Sequence, residues 1–264
     1  MEQLIETVIL GIIQGLTERL PISSTGHLKL FENLLDLNAR DLVFFDVVLH
    51  VGTLIVILMF FRKEIGKILS SLAHLDFKTE YGKMVPLIIV GVAPTILIGL
   101  FFGWLIEDTF QTILPIGIAF LLCGVMLYSS KFGKEKTDRI TYSTAIMMGI
   151  AQGIAIIPGV SRSGATIIVA LLLGIKREKA FKFSFLLSIP AILGALGYTT
   201  YTEFSELAST GLRWDEIFAG ATVAMLVGYF ALKLLWKTIA KRKFHLFAFY
   251  CWLLGVVLVL SEIF

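Results

Sequence analysis

Charged residues are scarce in this sequence. They make up 16% of its 264 residues, whereas a soluble domain carries about 25%. Hydrophobic residues make up 57% and the mean hydropathy is +0.86. Several apolar runs also reach the roughly 20 residues that a helix needs to cross a bilayer. These features argue against a soluble globular protein. They predict an all-α polytopic membrane protein with one integral membrane domain over residues 1–264.

Cysteine and a basic N-terminal region are nearly absent as well. The two cysteines, Cys123 and Cys251, lie in apolar runs and lack the spacing of metal ligands, so we expect both to be core residues. Glu2 and Glu6 stand where a secretory signal would carry basic residues. A cleavable signal peptide is therefore not predicted.

Most of the basic residues cluster in four short segments, which the positive-inside rule places in the cytoplasm. The four segments contain Arg62, Lys63, Lys67, Lys78 and Lys83; Lys131, Lys134, Lys136 and Arg139; Lys176, Arg177, Lys179 and Lys182; and Lys233, Lys237, Lys241, Arg242 and Lys243. Basic loops beside a membrane require only membrane lipids as partners, so we predict no nucleic-acid partner.

The remaining connections are acidic and are predicted to lie outside the cell. They contain Glu107, Asp108, Glu203, Glu206, Asp215 and Glu216. Both termini are predicted to lie outside for the same reason, since Glu2 and Glu6 mark one end and Glu262 the other. This arrangement predicts a multi-pass protein of the plasma (inner) membrane.

Six apolar runs fit full crossings between these two sides. They cover residues 42–61, 85–105, 112–130, 183–201, 216–235 and 244–262. Two further segments, residues 8–35 and 141–175, begin and end on the same side and are each broken by proline and glycine. We predict that both are re-entrant helical hairpins. Non-helical backbone at that depth is tolerated only inside protein or beside a wet cavity, so a functional site is expected at the breaks.

The two broken segments are related to each other. QGLTERLPISSTG (residues 14–26) and QGIAIIPGVSRSG (residues 152–164) have equal length and share Gln, Gly, Ser and the final Gly in register. The same offset aligns FDVVLHVG with FSFLLSIP. We predict two inverted-topology repeats, about 1–130 and 139–264, each a hairpin followed by three crossings. Inverted repeats with broken helices near the midplane are typical of transporters.

The second hairpin has the composition of a phosphate-binding segment. Its helix is broken at Pro158 and Gly159. The backbone N–H groups of the helix that follows favour an anion, and a guanidinium adds a planar fork of donors suited to phosphate oxygens. The predicted binding residues are Arg162, Ser161, Ser163, Gly164 and Thr166.

The first hairpin supplies reactive groups. Gln14 and Glu18 are four residues apart on one helix face and offer oxygen ligands for Mg²⁺ or Ca²⁺. Ser24 and His27 form a candidate nucleophile–base pair. Ser23, Thr25 and Gly26 are further candidates for substrate binding. The structural alternative is that Glu18 pairs with Arg162 or Arg19 and that Ser23 caps a helix.

Two other polar residues lie in a predicted crossing. His50 follows Asp46 by one helical turn, and it either faces the site or satisfies a core contact. We favour the core. Taken together, the two hairpins predict hydrolysis of a phosphate ester or diphosphate whose lipid tail stays in the bilayer.

The two hairpin motifs resemble the undecaprenyl-diphosphate phosphatase family of the bacitracin-resistance type. The family motif Glu/Gln-x-x-x-Glu, continuing to L-P-x-S-S-x-G-H, corresponds to residues 14–27, and P-G-x-S-R-S-G-x-T corresponds to residues 158–166. The FxFLLSIP run at residues 183–190 is similar as well. The resemblance extends over the whole chain in length and spacing.

The resemblance implies release of inorganic phosphate from undecaprenyl diphosphate, a polyprenyl diphosphate lipid. This reaction recycles the lipid carrier of peptidoglycan and other envelope polymers. It implies a divalent cation (Mg²⁺ or Ca²⁺), held by Gln14 and Glu18 if these two do not activate the nucleophile, and a site open to the outer face. It also implies diphosphate binding by Arg162 and attack by Ser24, with Glu18 or His27 as base. Phosphohistidine formation at His27 is the competing route.

One position departs from the family pattern. Arg19 stands where the family usually has a large aromatic residue. It either pairs with Glu18 and weakens metal binding, or contributes a second phosphate contact. The rival functions are a transporter or flippase of a lipid phosphate and a lipid-binding structural protein. The sequence leaves a homodimer open.

Overall fold

The computed structural model describes residues 2–35, 37, 39–202 and 212–263. In this part of the chain there are eleven α-helices, with one 3₁₀ turn before residue 133 and another before residue 247. The helices are α1 (Glu2–Arg19), α2 (Ser24–Leu34), α3 (Ala39–Phe60), α4 (Arg62–Ala73), α5 (Met84–Thr109), α6 (Ile113–Ser129), α7 (Tyr142–Ile154), α8 (Arg162–Leu172), α9 (Arg177–Thr202), α10 (Trp214–Ala240) and α11 (Phe247–Ser261).

Six helical stretches are long and apolar enough to cross a membrane, which confirms the predicted number of candidate crossings. They correspond to α3, α5, α6, α9, α10 and α11, the last extended by its preceding 3₁₀ turn. The predicted bounds are less accurate: α9 begins at Arg177 rather than residue 183. The first turn of α9 is charged and so falls outside the apolar run. It is still helical, because backbone hydrogen bonds also form beyond the hydrocarbon core of a bilayer.

The basic segment after α3 is not the loop that the sequence indicates. It contains α4, whose Ile65 and Ile68 pack against the core, whereas Lys63 and Lys67 are exposed. Such a short amphipathic helix escapes a search for long apolar runs.

Each broken segment folds into two helices separated by a break, α1 with α2 and α7 with α8. α1 packs along α10, and α7 packs along α5. Both crossings are close approaches between glycines, Gly11 against Gly220 and Gly149 against Gly91. A Cβ atom on Gly149 would overlap the carbonyl oxygen of Gly91. The broken segment of each half of the chain is therefore held by a long helix of the other half.

The core between the helices is aromatic and aliphatic, with Phe120, Phe181 and Phe183 almost fully buried. Large apolar residues such as Phe101 and Trp104 are exposed on the outside. An apolar exterior of this kind is what a bilayer covers.

Ion pairs join the four basic segments at one end of the helix bundle. They are Lys182 with Glu64 at 3.2 Å, Lys179 with Glu80, and both Arg177 and Arg242 with Glu135. The segments predicted to share one side of the membrane are thus adjacent in space. Of the acidic residues predicted to lie outside, Glu203 and Glu206 fall outside the described residues, as do the side chains of Glu2 and Glu107.

Candidate active site

Glu18 and Ser24 form the centre of the first hairpin. Glu18 lies in the last turn of α1, and Ser24 is the first residue of α2. The break between α1 and α2 brings the serine hydroxyl to the carboxylate: Ser24 Oγ donates to Glu18 Oε2 at 2.5 Å. Both residues are 8% exposed. The pair has the contact that a nucleophile needs with its general base.

Arg162 brings the second hairpin to the same carboxylate. It is the first residue of α8, whose N-cap Ser161 accepts a hydrogen bond from the backbone N–H of Gly164 at 3.1 Å. Arg162 Nη2 donates to Glu18 Oε1 in a close ion pair. A quarter of the Arg162 side chain remains exposed. The predicted cationic and reactive halves of the site therefore meet.

The turns of the two hairpins are also joined directly. The backbone N–H of Gly159 donates to Ser23 Oγ at 2.9 Å. Ser23 is the N-cap of α2 and has a φ of 66°, a left-handed conformation that is costly for a residue with a side chain. Gly159 has a φ of 98°, where glycine has no such penalty. The backbone at the junction is thus shaped to place Ser24 and Arg162 around Glu18.

A small polar cavity lies between these groups, and it is too narrow to admit a water molecule in this structure. Besides Glu18 and Arg162, it is lined by Ser163, Thr166, Ser184, Phe185 and Ser188. The hydroxyls of Thr166 and Ser184 are 2.6 Å apart. The wall of hydroxyls facing a guanidinium is suited to phosphate oxygens.

His27 is near this centre but bonds to other partners. Its Nδ1 lies 2.7 Å from the carbonyl oxygen of Ser23, and its Nε2 lies 2.7 Å from Tyr250 Oη. The ring is 3% exposed and stacks against Tyr250, with Phe120 at its edge. In the described residues the hydrogen-bond partner of Ser24 Oγ is Glu18 rather than His27.

Gln14 lies one turn before Glu18 and is fully buried. Its Nε2 is 3.5 Å from Glu18 Oε2. Its Oε1 has no hydrogen-bond partner among the described residues. The two predicted metal ligands thus lie together.

Arg19 is buried behind Glu18 and is 0% exposed. Its Nη2 lies 3.6 Å from Glu18 Oε1. Its guanidinium carbon lies 6.0 Å from the centre of the Phe185 ring, a weak cation–π contact. None of its three guanidinium nitrogens has a hydrogen-bond partner in the part of the chain described.

The structure corrects the assignment of His50 to the core. His50 Nε2 lies 3.8 Å from Glu18 Oε2, and 29% of its side chain is exposed. Asp46 supplies only its backbone carbonyl, 2.8 Å from His50 Nδ1. The sequence held a signal for this role, because the repeat offset aligns His50 with Ser188 of the cavity wall.

Of the remaining residues predicted to bind substrate, some line the cavity and others do not. Ser163 and Thr166 line the cavity, whereas Ser161 and Gly164 shape the start of α8. Gly26 packs against the turn of the other hairpin: a Cβ atom there would lie 2.8 Å from the backbone nitrogen of Gly159. Thr25 is exposed and is not part of the cavity wall.

Several residues near the site were not predicted, among them Ser184, Phe185 and Ser188 of α9 and Tyr250 of α11. The two serines lie in the FSFLLSIP run, so the repeat alignment pointed to their segment. The sequence carries no corresponding signal for Tyr250, which reaches His27 through tertiary packing.

Comparisons with known proteins give the following results. A family model described as "Bacitracin resistance protein BacA" matches residues 7–257. An undecaprenyl-diphosphatase of Halothermothrix orenii is 42% identical, over 98% of this chain and 98% of its own. One of Carboxydothermus hydrogenoformans is 41% identical, over 97% of each chain. Undecaprenyl-diphosphatase 4 of Bacillus thuringiensis is 39% identical, over 97% of this chain and 96% of its own.

Proposed function

The chain belongs to the bacitracin resistance protein BacA family, and from that premise we propose that it hydrolyses undecaprenyl diphosphate to undecaprenyl phosphate and inorganic phosphate. Such an enzyme regenerates the lipid carrier for peptidoglycan and envelope polymers and protects the cell against bacitracin. The observation that carries the proposal is the convergence of Ser24 and Arg162 on Glu18. A transporter needs no activated hydroxyl beside a carboxylate, so the transporter alternative is not favoured.

Binding begins with the exposed part of Arg162. We infer that the terminal phosphate first takes the guanidinium away from Glu18, since phosphate and carboxylate compete for the same donors. Separation of this ion pair then widens the hydroxyl-lined cavity, which is too narrow for a phosphate while the pair is closed. Ser163 and Thr166 then lie within the same cavity wall. The polyprenyl tail stays among the apolar helices.

Transfer of the phosphoryl group then uses the Ser24–Glu18 pair. Ser24 Oγ attacks the terminal phosphorus, its proton passes to Glu18 Oε2, and the bond to the bridging oxygen breaks to release undecaprenyl phosphate. Glu18 gives this proton to the departing undecaprenyl phosphate and is ionised again. Water then attacks the phosphoserine, Glu18 accepts the water proton and returns it to the leaving Ser24 Oγ, and inorganic phosphate is released. Positioning and charge stabilisation supply most of the acceleration in such reactions.

The competing nucleophile is His27. Attack by its Nε2 requires loss of the contact with Tyr250 and rotation of a ring held between Phe120 and Tyr250. Ser24 needs no rearrangement to reach its base. The contacts therefore favour the serine route.

Gln14 and Glu18 could supply some, but not all, of the ligands of a divalent cation. Gln14 Oε1 is buried without a partner beside the Glu18 carboxylate, so the two supply oxygen ligands. In the described part of the chain no three His, Cys, Asp or Glu residues gather to hold a metal ion. Mg²⁺ is commonly held by one or two protein ligands plus substrate phosphates. When bound, the cation would neutralise phosphate oxygens.

Release of inorganic phosphate by the detergent-purified protein tests the function. We expect turnover of undecaprenyl diphosphate and its loss in Ser24→Ala and Glu18→Gln. Quenching of the reaction with terminally labelled substrate, in acid and in parallel in alkali, tests the nucleophile: the serine route predicts label that survives the acid quench and is lost in alkali. Acid-labile, hydroxylamine-sensitive label that persists in Ser24→Ala would identify His27 instead. Binding of undecaprenyl diphosphate without release of phosphate would contradict the proposed hydrolysis and favour the transporter.

We also propose that the fold is an inverted repeat with two re-entrant hairpins. Three observations support this arrangement. Ser23 and Ser161 cap equivalent helices and accept from the glycine three residues on. The first helix of each broken segment packs on a long helix of the other half of the chain, α1 on α10 and α7 on α5, and glycines meet at both crossings. The basic segments gather at one end of the bundle.

The proposed orientation puts this basic end in the cytoplasm, with both termini outside and the site open to the outer face. Membrane-impermeant thiol labelling of intact cells tests it, starting from a chain in which both native cysteines are replaced. Single cysteines at Glu6 and Asn33 should be labelled from outside. Single cysteines at Arg139 and Lys176 should react only after permeabilisation. Labelling of Asn33 only from inside would exclude the first re-entrant hairpin.

A further inference from the structure

Arg19 is a buried charge with little compensation. It is 0% exposed, and among the described residues its only charged contact below 4 Å is Glu18, at 3.6 Å from Nη2 to Oε1. All three guanidinium nitrogens lack a hydrogen-bond partner in the described chain. Burying a guanidinium without hydrogen bonds is strongly unfavourable unless it is paired. Its charge therefore calls for a functional explanation.

The position of Arg19 separates its role from that of Arg162. Arg162 lines the cavity and is partly exposed, so a substrate phosphate can reach it. Arg19 is not part of the cavity wall and lies behind the carboxylate, over Phe185. Arg19 consequently acts through Glu18 and not by direct contact with the substrate.

The charges of Glu18, Arg19 and Arg162 indicate how Arg19 affects the site. Glu18 carries one negative charge and has two guanidinium groups near one of its oxygens. The pair of arginines already gives the free site a positive excess. A divalent cation held by Gln14 and Glu18 would add two positive charges beside a buried like charge, which opposes its binding.

We propose that Arg19 is a positioning residue whose fixed charge replaces part of the electrostatic role of the divalent cation. The free protein then binds the cation weakly, and the cation enters with the substrate, whose diphosphate brings the compensating negative charge. The site consequently keeps part of its activity without the cation, which the same site without Arg19 would lose. This inference rests on the proposed function for its consequence in turnover.

Binding of Mn²⁺ to the detergent-purified protein without substrate tests the proposal directly. The variants are Arg19→Met, which removes the charge from an unbranched side chain, Arg19→Gln, which keeps polar atoms, and Arg19→Lys, which keeps the charge. Free Mn²⁺ is followed by electron paramagnetic resonance. We expect Arg19→Met and Arg19→Gln to bind Mn²⁺ at least about tenfold more tightly than the wild type, because a like charge has gone. Arg19→Lys should resemble the wild type.

Phosphate release provides the second measurement. The wild type and Arg19→Lys should keep a measurable fraction of their activity when EDTA removes the cation completely, whereas Arg19→Met should lose its activity. Equal Mn²⁺ affinity in all four proteins would overturn the proposal, as would an Arg19→Lys variant that behaves like Arg19→Met. Failure of both uncharged variants to fold, with Arg19→Lys folded, would make Arg19 a structural charge and overturn it too. Absence of turnover in every protein would refute the proposed function, whereas the Mn²⁺ comparison still decides the role of Arg19.

Discussion

Replacing Arg162 by lysine separates the role of a guanidinium from that of a positive charge. Arg162 donates from Nη2 to Glu18 in the free protein, and a quarter of its side chain faces outward. Lysine keeps the charge on a flexible stem but has no planar fork that can bond two phosphate oxygens at once. The variant should therefore bind and orient the diphosphate poorly.

The size of the effect follows from the bonds lost. A hydrogen bond to a charged group contributes about 1.5–3 kcal/mol, and each 1.36 kcal/mol of barrier changes the rate about tenfold. Loss of one such bond predicts a fall in kcat/KM of about 10- to 100-fold. Because the cavity wall and the Ser24–Glu18 contact remain, the variant should keep measurable activity.

Phosphate release from undecaprenyl diphosphate in detergent, over a range of substrate concentrations, measures this loss. The matched control is Arg177→Lys, since Arg177 also forms a close ion pair with a glutamate, Glu135, but does so at the basic end of the bundle. The control should retain wild-type kcat/KM. A folded Arg162→Lys enzyme within twofold of the wild type would show that charge alone is required, and the fork argument would be refuted.

Three further outcomes are expected. Tyr250→Phe removes the partner of His27 Nε2 and should lower stability by about 1 kcal/mol with less than tenfold loss of kcat/KM; a hundredfold loss would bring His27 into the chemistry. Gly159→Ala places a Cβ atom on a residue with a φ of 98°, so the unfolding temperature and activity should both fall; an unchanged unfolding temperature would contradict the strain argument. The hydrogen bond from Lys179 lowers the pKa of Glu80, so this carboxylate stabilises the fold above its usual pKa, and that contribution disappears as the pH falls through the lower folded value. Glu80→Gln should accordingly lower the unfolding temperature at neutral pH but not in acid, and an equal loss at both pH values would refute the linkage.

The large features of the fold follow from the sequence because the bilayer permits few solutions. Apolar runs of sufficient length give six candidate spans, and the part of the chain that the structure describes contains six helical stretches long and apolar enough to cross. The helical segments that the sequence did not predict are ones whose composition the bilayer does not constrain. The helix α4 is short and amphipathic, and the first turn of α9 is charged. Both lie where polar groups are tolerated, so hydropathy gives no sign of their helical backbone.

The site was predictable where local sequence determines it and less so where packing does. Glu18, Ser24 and Arg162 carry chemistry in segments that must be buried, and the structure brings all three together. His50 was wrongly favoured as a core residue because one residue on a long apolar helix does not reveal which face meets the site. Tyr250 contacts His27 across two helices that are distant in sequence, and only the folded chain joins them.

The convergence on Glu18 also explains how a charged site persists in an apolar protein. An isolated guanidinium at this depth costs several kcal/mol, and an isolated carboxylate is similarly unfavourable. In the free protein Arg162 and Glu18 neutralise each other, and Ser24 occupies the second carboxylate oxygen. In the proposed mechanism, a diphosphate that takes Arg162 supplies the negative charge that Glu18 had provided, so the carboxylate would be released for proton transfer only when substrate is present. The ion pair that stabilises the free fold is therefore the same contact that must break for catalysis.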